Sequence, residues 1–257
     1  MNWADSYKRL ADVYIEEFES RWKDGINTAI ALSHYVKTNF PNITRLLDVP
    51  CGIGRLSIPL SLEGFNVLGI DFSDKFIERA NEKKVQYASE TSKFVVGDML
   101  SSDELILKYK PQLVINWWTS IGYKNKKTDM KFLKHLKTVT ESGTLLIIET
   151  WTREYIINSP ISHFWNDLGD FIVLVSQQVD PLSEFVKSEH HYFRKIKGDL
   201  KYLDSFKSKI ILYSVLELKD MLTKAGWQVL RITNSIGQID NSFKPQLDRC
   251  VLVCKSF

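Results

Sequence analysis

Three aspartates, each closing an apolar run, are the residues of this chain best placed to do chemistry. Asp48 follows Leu46-Leu47 and precedes the break Pro50-Cys51-Gly52-Ile53-Gly54; Asp71 ends Asn66-Val67-Leu68-Gly69-Ile70; Asp98 follows Val95-Val96-Gly97. Each alone is a common turn former or helix cap. At three successive strand ends they describe one site. A strand entering a glycine turn and then a helix is where open α/β sheets bind ligands.

The turn argues against two phosphate ligands. A dinucleotide fingerprint needs a third glycine where Ser57 stands, and a phosphate-gripping loop needs lysine where Arg55 follows Gly54. A carboxylate at Asp48 repels pyrophosphate and suits an ammonium or sulfonium group. Asp71 can accept both hydroxyl protons of a ribose, as acidic residues do in other nucleoside sites. Beside it, Gly97-Asp98-Met99 fits an adenine, with an acceptor for the exocyclic amine and an apolar slab for the ring. A dehydrogenase remains the rival for this junction, and binding of NAD in place of a sulfonium nucleoside would separate the two.

The elements that must position these residues are legible from hydrophobic rhythm. Trp3, Tyr7, Leu10, Tyr14 and Phe18 recur at helical spacing, and a second helix is expected from Ile26 to Phe40, stopped by Pro41. Strands are expected at 46–49, 66–71, 93–98, 113–118 and 143–149, with amphipathic segments such as 76–84 and 131–139 between them. That alternation implies a doubly wound α/β fold with a mostly parallel sheet. Segments 227–233 and 249–255 have no helix between them and should close the sheet as an antiparallel hairpin. Residues 171–180, 184–196 and 209–213 alternate like antiparallel strands, with Asp180-Pro181 as a turn, so 151–213 is expected to be an insertion. Ser214 and Glu217 form a capping-box signature for a helix ending at Gly226. Pro59 implies that the helix after the glycine turn starts late or is kinked.

With these residues in view, the chain resembles the class I S-adenosylmethionine-dependent methyltransferases, closely over roughly 40–150. It is most similar to small single-domain members with a DxxCGxGR motif, here Asp48 to Arg55. The resemblance implies a Rossmann-like, seven-stranded fold and S-adenosyl-L-methionine as cofactor. It implies that Asp48, Cys51, Gly52, Gly54 and Arg55 surround the methionine moiety. Asp71 and Phe72 would hold ribose and adenine, with Gly97, Asp98 and Met99 at the adenine. Asn116 and Trp117 would line the methyl side. Residues 1–40 would cover the cofactor, 41–150 and 214–257 would form the core, and 151–213 would be an acceptor-side lid separable from cofactor binding. Tyr7 or Tyr14 would contribute a hydroxyl, although core packing also explains both.

The acceptor side is read from aromatics. Trp117, Tyr123, Trp151 and Trp165 are expected around an enclosed pocket for a small apolar or cationic molecule, with Trp118, alternating with Trp117, pointing away. The Asn-Pro-Pro-aromatic run of adenine and amide methylation is absent at Asn116-Trp117-Trp118-Thr119. A sulfonium methyl is already electrophilic, so alignment suffices, and a base is needed only for a protonated acceptor. His190, His191 and Tyr123 are the candidate catalytic groups; in a strand at most one of the two histidines faces the cleft. Methylation of RNA or protein, drawing on Lys124, Lys126, Lys127 and the lysines of 195–209, is the second reading; otherwise those lysines are solvated surface. A cofactor-binding regulatory protein without turnover is the third.

Bulk properties fit a single domain with an insertion. The 257 residues carry a net charge of +3, 44% hydrophobic and 25% charged side chains, ordinary globular values. No run is long enough to span a membrane and the charged start is not a signal peptide. Cys51, Cys250 and Cys254 form no CxxC pair, so reduced thiols, a cytoplasmic location and no metal site are expected.

Overall fold

The computed structural model describes residues 3–158, 162–180, 182–236, 243–244 and 248–257. Pro181, expected in a turn, lies outside them. The chain opens with α1 (Trp3–Arg9), α2 (Ala11–Ser20) and α3 (Trp22–Asn39). The expected first helix is thus two, broken at Leu10, and α3 begins before Ile26, running through Gly25. It ends ahead of Pro41 as expected.

The core then alternates β1 (Arg45–Asp48), α4 (Ser57–Leu62), β2 (Asn66–Asp71), α5 (Asp74–Gln86), β3 (Ser92–Val96), α6 (Asp103–Tyr109), β4 (Leu113–Asn116), α7 (Lys126–Thr138) and β5 (Leu145–Thr150). Pro59 sits in the first turn of α4, where its missing N–H has no helical partner to lose. The helix starts late and is not kinked.

An insertion follows: α8 (Arg153–Asn158), β6 (His163–Asp167), β7 (Phe171–Val179), β8 (Phe185–Ile196) and β9 (Asp199–Ile211), the four strands forming their own antiparallel sheet in that order. β6 and α8 were not expected, and β9 is far longer than 209–213. Lysines 201, 207 and 209 face solvent on it and mask its apolar alternation. The chain closes with α9 (Val215–Lys224), β10 (Trp227–Thr233) and β11 (Cys250–Ser256). Ser214 and Glu217 make the full capping box at the start of α9.

The main sheet runs β10-β11-β5-β4-β1-β2-β3, parallel except β11, which is antiparallel to both neighbours. Chain order therefore reverses between β1 and β4, which opens a crevice at their carboxyl ends. Successive residues of the buried strands face opposite layers: Leu47, Leu68 and Val114 pack on α6, α7 and α9, and Leu46, Val67 and Leu113 on α3 and α4. Cys250, Leu252 and Cys254 join the first layer as core filler.

A third cluster joins distant segments. Leu10, Val13 and Tyr14 of the amino-terminal helices pack with Phe171, Val173, Val175, Tyr192 and Phe206 of the second sheet, and with Cys51, Ile53 and Phe76 beside the glycine turn. No described helix is long and apolar enough to cross a membrane.

Candidate active site

A cavity of about 230 Å³ opens at the crevice between β1 and β4. The glycine turn supplies Cys51, Gly52, Ile53 and Arg55 to its wall; the ends of β2 and β3 supply Asp71, Phe72, Gly97, Asp98 and Met99. Trp117, Trp118, Ser120, Tyr123 and Lys124 come from the loop after β4, and Tyr7 and Phe18 from the amino-terminal helices. Asp48, Gly54 and Asn116 do not line it. They lie directly behind the wall.

Each of those three holds the wall in shape. Asp48, buried at 2%, accepts a hydrogen bond of 2.5 Å from Ser57 Oγ at the start of α4. Burial, reinforced by nearby Asp71 against the pull of the Ser57 hydroxyl, pushes its carboxyl up to about 7. Gly54 has φ +78°, and a Cβ there would stand 2.8 Å from the Phe94 ring, so only glycine fits. Asn116 Nδ2 donates to the Val49 carbonyl at 2.8 Å and ties β4 to β1.

Asp71 faces both the turn and the cavity. Its Oδ2 accepts the Gly52 N–H at 2.9 Å and its Oδ1 the Ser73 N–H at 3.0 Å. Burial pushes this carboxyl up to about 6, with the backbone donors holding it from going higher. Asp98 is exposed and accepts the Leu100 N–H at 2.8 Å. Burial raises the Cys51 thiol well above its ordinary value, so it is a wall and not a nucleophile.

Arg55 is the buried one of two cationic side chains, with Lys124, among the described lining residues. It is only 6% exposed, and its Nη1 has no hydrogen-bond partner among the described residues. Its guanidinium carbon lies 3.4 Å from the centroid of the Trp118 ring. Burial and the repulsion of Arg21 bring it down to about 10, so it stays charged at neutral pH. Trp118 thus points into the cavity, contrary to expectation. The strand ends at Asn116, and Trp118 and Thr119 follow with φ of +54° and +57°, so strand alternation no longer applies.

The comparisons with known proteins bear on this geometry. A family model described as a methyltransferase domain matches residues 14–232. The chain is 39% identical over 213 residues to "Putative methyltransferase YqeM" of Bacillus subtilis (strain 168), covering 77% of this chain and 79% of that one. The chain belongs to the S-adenosylmethionine-dependent methyltransferases. Its fold matches that of such a methyltransferase from Clostridium acetobutylicum ATCC 824 with a TM-score of 0.76, at 16% identity over 97% of this chain and 98% of that one. It also matches CalS10, an S-adenosylmethionine-bound amino pentose methyltransferase from Micromonospora echinaspora, with a TM-score of 0.72 at 15% identity, covering 95% and 97% of the two chains.

The remaining expected residues of this methyltransferase are dispersed. Tyr123 lines the cavity and is paired with Tyr7, whose ring stacks on Tyr14 with centroids 4.3 Å apart. The Tyr14 hydroxyl lies 3.1 Å from that of Tyr192 on β8. His190 packs beside Tyr192 and Phe206, away from the cavity wall, and burial pulls it down to about 4. His191 lies on the other face of β8, paired with Glu189 at 3.2 Å. Trp165 is 62% exposed on β6, and Trp151 lies under Arg249, whose guanidinium carbon is 4.8 Å from its centroid; neither lines the cavity. Phe18, Trp118, Ser120 and Asp129 line it without having been expected. Only the helical rhythm that included Phe18 signalled any of them.

Proposed function

We propose that the cavity holds S-adenosylmethionine with its nucleoside against Asp71, Phe72, Gly97, Asp98 and Met99. Its methionine end would lie against Cys51, Gly52 and Arg55, with Trp117 on the methyl side. The observation that carries this reading is the buried Nη1 of Arg55, unpartnered among the described residues, on a side chain that lines the same cavity as Asp71. A buried polar group without a partner is costly. A ligand with a carboxylate at one end and a ribose diol at the other satisfies both. Asp48, Gly54 and Asn116 then serve by shaping the turn from behind.

S-adenosylmethionine, when bound, supplies a methyl group already made electrophilic by its sulfonium. The protein has to align the acceptor and exclude water. We infer a small-molecule acceptor, received between Trp117, Tyr123 and Tyr7. The roof that Tyr7 and Phe18 make over the cavity supports this, as does the amino pentose named for one structural neighbour. Aromatic walls suit an amine by cation–π contact or a ring by stacking. A neutral amine needs no base. Burial raises the Tyr123 hydroxyl, so it stays protonated and acts as a hydrogen-bond partner, not a base. In this reading residues 1–40 are the cover, 41–150 and 214–257 the cofactor core, and 151–213 the acceptor-side lid.

The protein is to be incubated with methyl-labelled cofactor and a metabolite extract, with and without RNase. Label in a small organic molecule, unaffected by RNase, is the expected result. Label in nucleic acid or protein would overturn the small-molecule assignment.

A further inference from the structure

Trp118 and Thr119 hold consecutive left-handed backbone conformations, which bulky L-residues adopt only when their surroundings fix them. What fixes them is Glu149, at the end of β5. Its Oε2 accepts the Trp118 N–H at 2.8 Å and its backbone carbonyl accepts the Thr119 N–H at 3.1 Å. Thr119 Oγ1 in turn accepts the Trp151 N–H at 3.2 Å. The Glu149 side chain is 5% exposed, and its charge is met by Arg249 Nη1 at 2.9 and 3.0 Å from its two oxygens. Arg249 stands immediately before β11. The carboxyl-terminal hairpin is thereby joined to the loop that presents Trp118, and Trp118 is the plate on which Arg55 lies.

We infer that the Glu149–Arg249 pair positions the amino-acid end of the cofactor site. It sets the Trp118 loop, and the indole face holds the Arg55 guanidinium so that Nη1 is available to a carboxylate. Neither Glu149 nor Arg249 lines the cavity; both act through Trp118. The inference rests on the reading of Arg55 as the carboxylate partner. A pair that served folding alone would affect both ends of a bound nucleoside alike.

Two ligands separate these cases. S-adenosylhomocysteine carries the amino-acid carboxylate; 5′-methylthioadenosine has the same nucleoside and sulfur without it. Affinities for both are to be measured for the wild type, Arg55→Met, Trp118→Leu and the double variant Glu149→Leu/Arg249→Leu. The double variant removes both charges together and leaves no unpaired buried ion. It and Trp118→Leu should weaken S-adenosylhomocysteine about tenfold and leave 5′-methylthioadenosine within about twofold. Equal weakening of both ligands, or of neither, in the double variant overturns the inference. Should that variant not fold, an unchanged affinity ratio in Trp118→Leu overturns it. Arg55→Met tests the underlying reading: if its ratio is unchanged, that reading has failed. If its ratio shifts and those of the other variants do not, only the positioning role has.

Discussion

Asp48 and Asp71 sit within one small volume, almost out of contact with water, and burial drives both toward the neutral acid. Their folded values, about 7 and about 6, lie above the ordinary aspartate value of 3.8. The folded state therefore holds protons that the unfolded chain has released. The stabilising contribution is complete below about pH 4 and is lost as pH rises through those two values. Asp48→Asn keeps an acceptor for the Ser57 hydroxyl without a charge. At pH 8 it should stabilise the ligand-free protein by on the order of 1–3 kcal/mol, or about 2–4 °C of melting temperature per kcal/mol. The gain should vanish at pH 4; equal melting at pH 8 would mean that the buried charge has little cost. Cofactor affinity should move oppositely, falling as pH is lowered through about 6, because a protonated Asp71 cannot accept both ribose hydroxyls. A flat affinity between pH 5 and 8 in calorimetry would contradict that. Asp71 was legible in sequence because its residue type and its place at a strand end agree. Asp48 was legible in type and in its place at the end of β1, but not in the direction its side chain takes. Whether a side chain at a strand end enters the cleft or braces the turn from behind depends on the path of the turn itself.

At the scale of elements, α3 is held against the glycine turn by an absent side chain. A Cβ on Gly25 would lie 2.4 Å from the Arg55 carbonyl oxygen and 2.6 Å from its Cγ. Glycine to alanine within a helix is ordinarily favourable by about 1 kcal/mol. Here Gly25→Ala should instead destabilise by about 1–3 kcal/mol through overpacking, and cofactor affinity should fall with it. Urea titration checks the sign, and a gain in stability would show that α3 does not seat on Arg55. A helix is expected only from Ile26, and α3 instead runs through Gly25, where close packing overrides the low helix propensity of glycine. A similar override hid most of β9, where exposed lysines break the apolar pattern but hydrogen bonding to β8 continues along the strand. Core strands such as β2 and β5 had no such conflict, being apolar runs bounded by clear turns.

At the scale of the whole molecule, the inserted sheet is packed together with the elements that line the cavity. The second sheet, the amino-terminal helices and the glycine turn share one apolar cluster, and those helices carry Tyr7 and Phe18 into the cavity. The insertion is therefore less separable than its sequence implies. Tyr192→Ala empties a position that is 1% exposed and should cost about 3–5 kcal/mol. Hydrogen exchange should show protection lost in residues 3–20 as well as in the second sheet. Loss confined to the sheet would mean that the two move independently. This coupling was not legible beforehand because it joins segments far apart in the chain, and no local pattern records which apolar faces meet. The mostly parallel character of the main sheet and its closing antiparallel hairpin were legible, because strands alternate with helices until the last pair, which has none between its members.

Calorimetric titration of S-adenosylmethionine into the wild type and Asp71→Ala tests the cavity assignment most directly. The wild type should bind one equivalent. Loss of the charge-assisted ribose hydrogen bonds, on the order of 1.5–3 kcal/mol each, should weaken binding by about tenfold or more. Unchanged affinity in Asp71→Ala would mean that the cofactor is not held there.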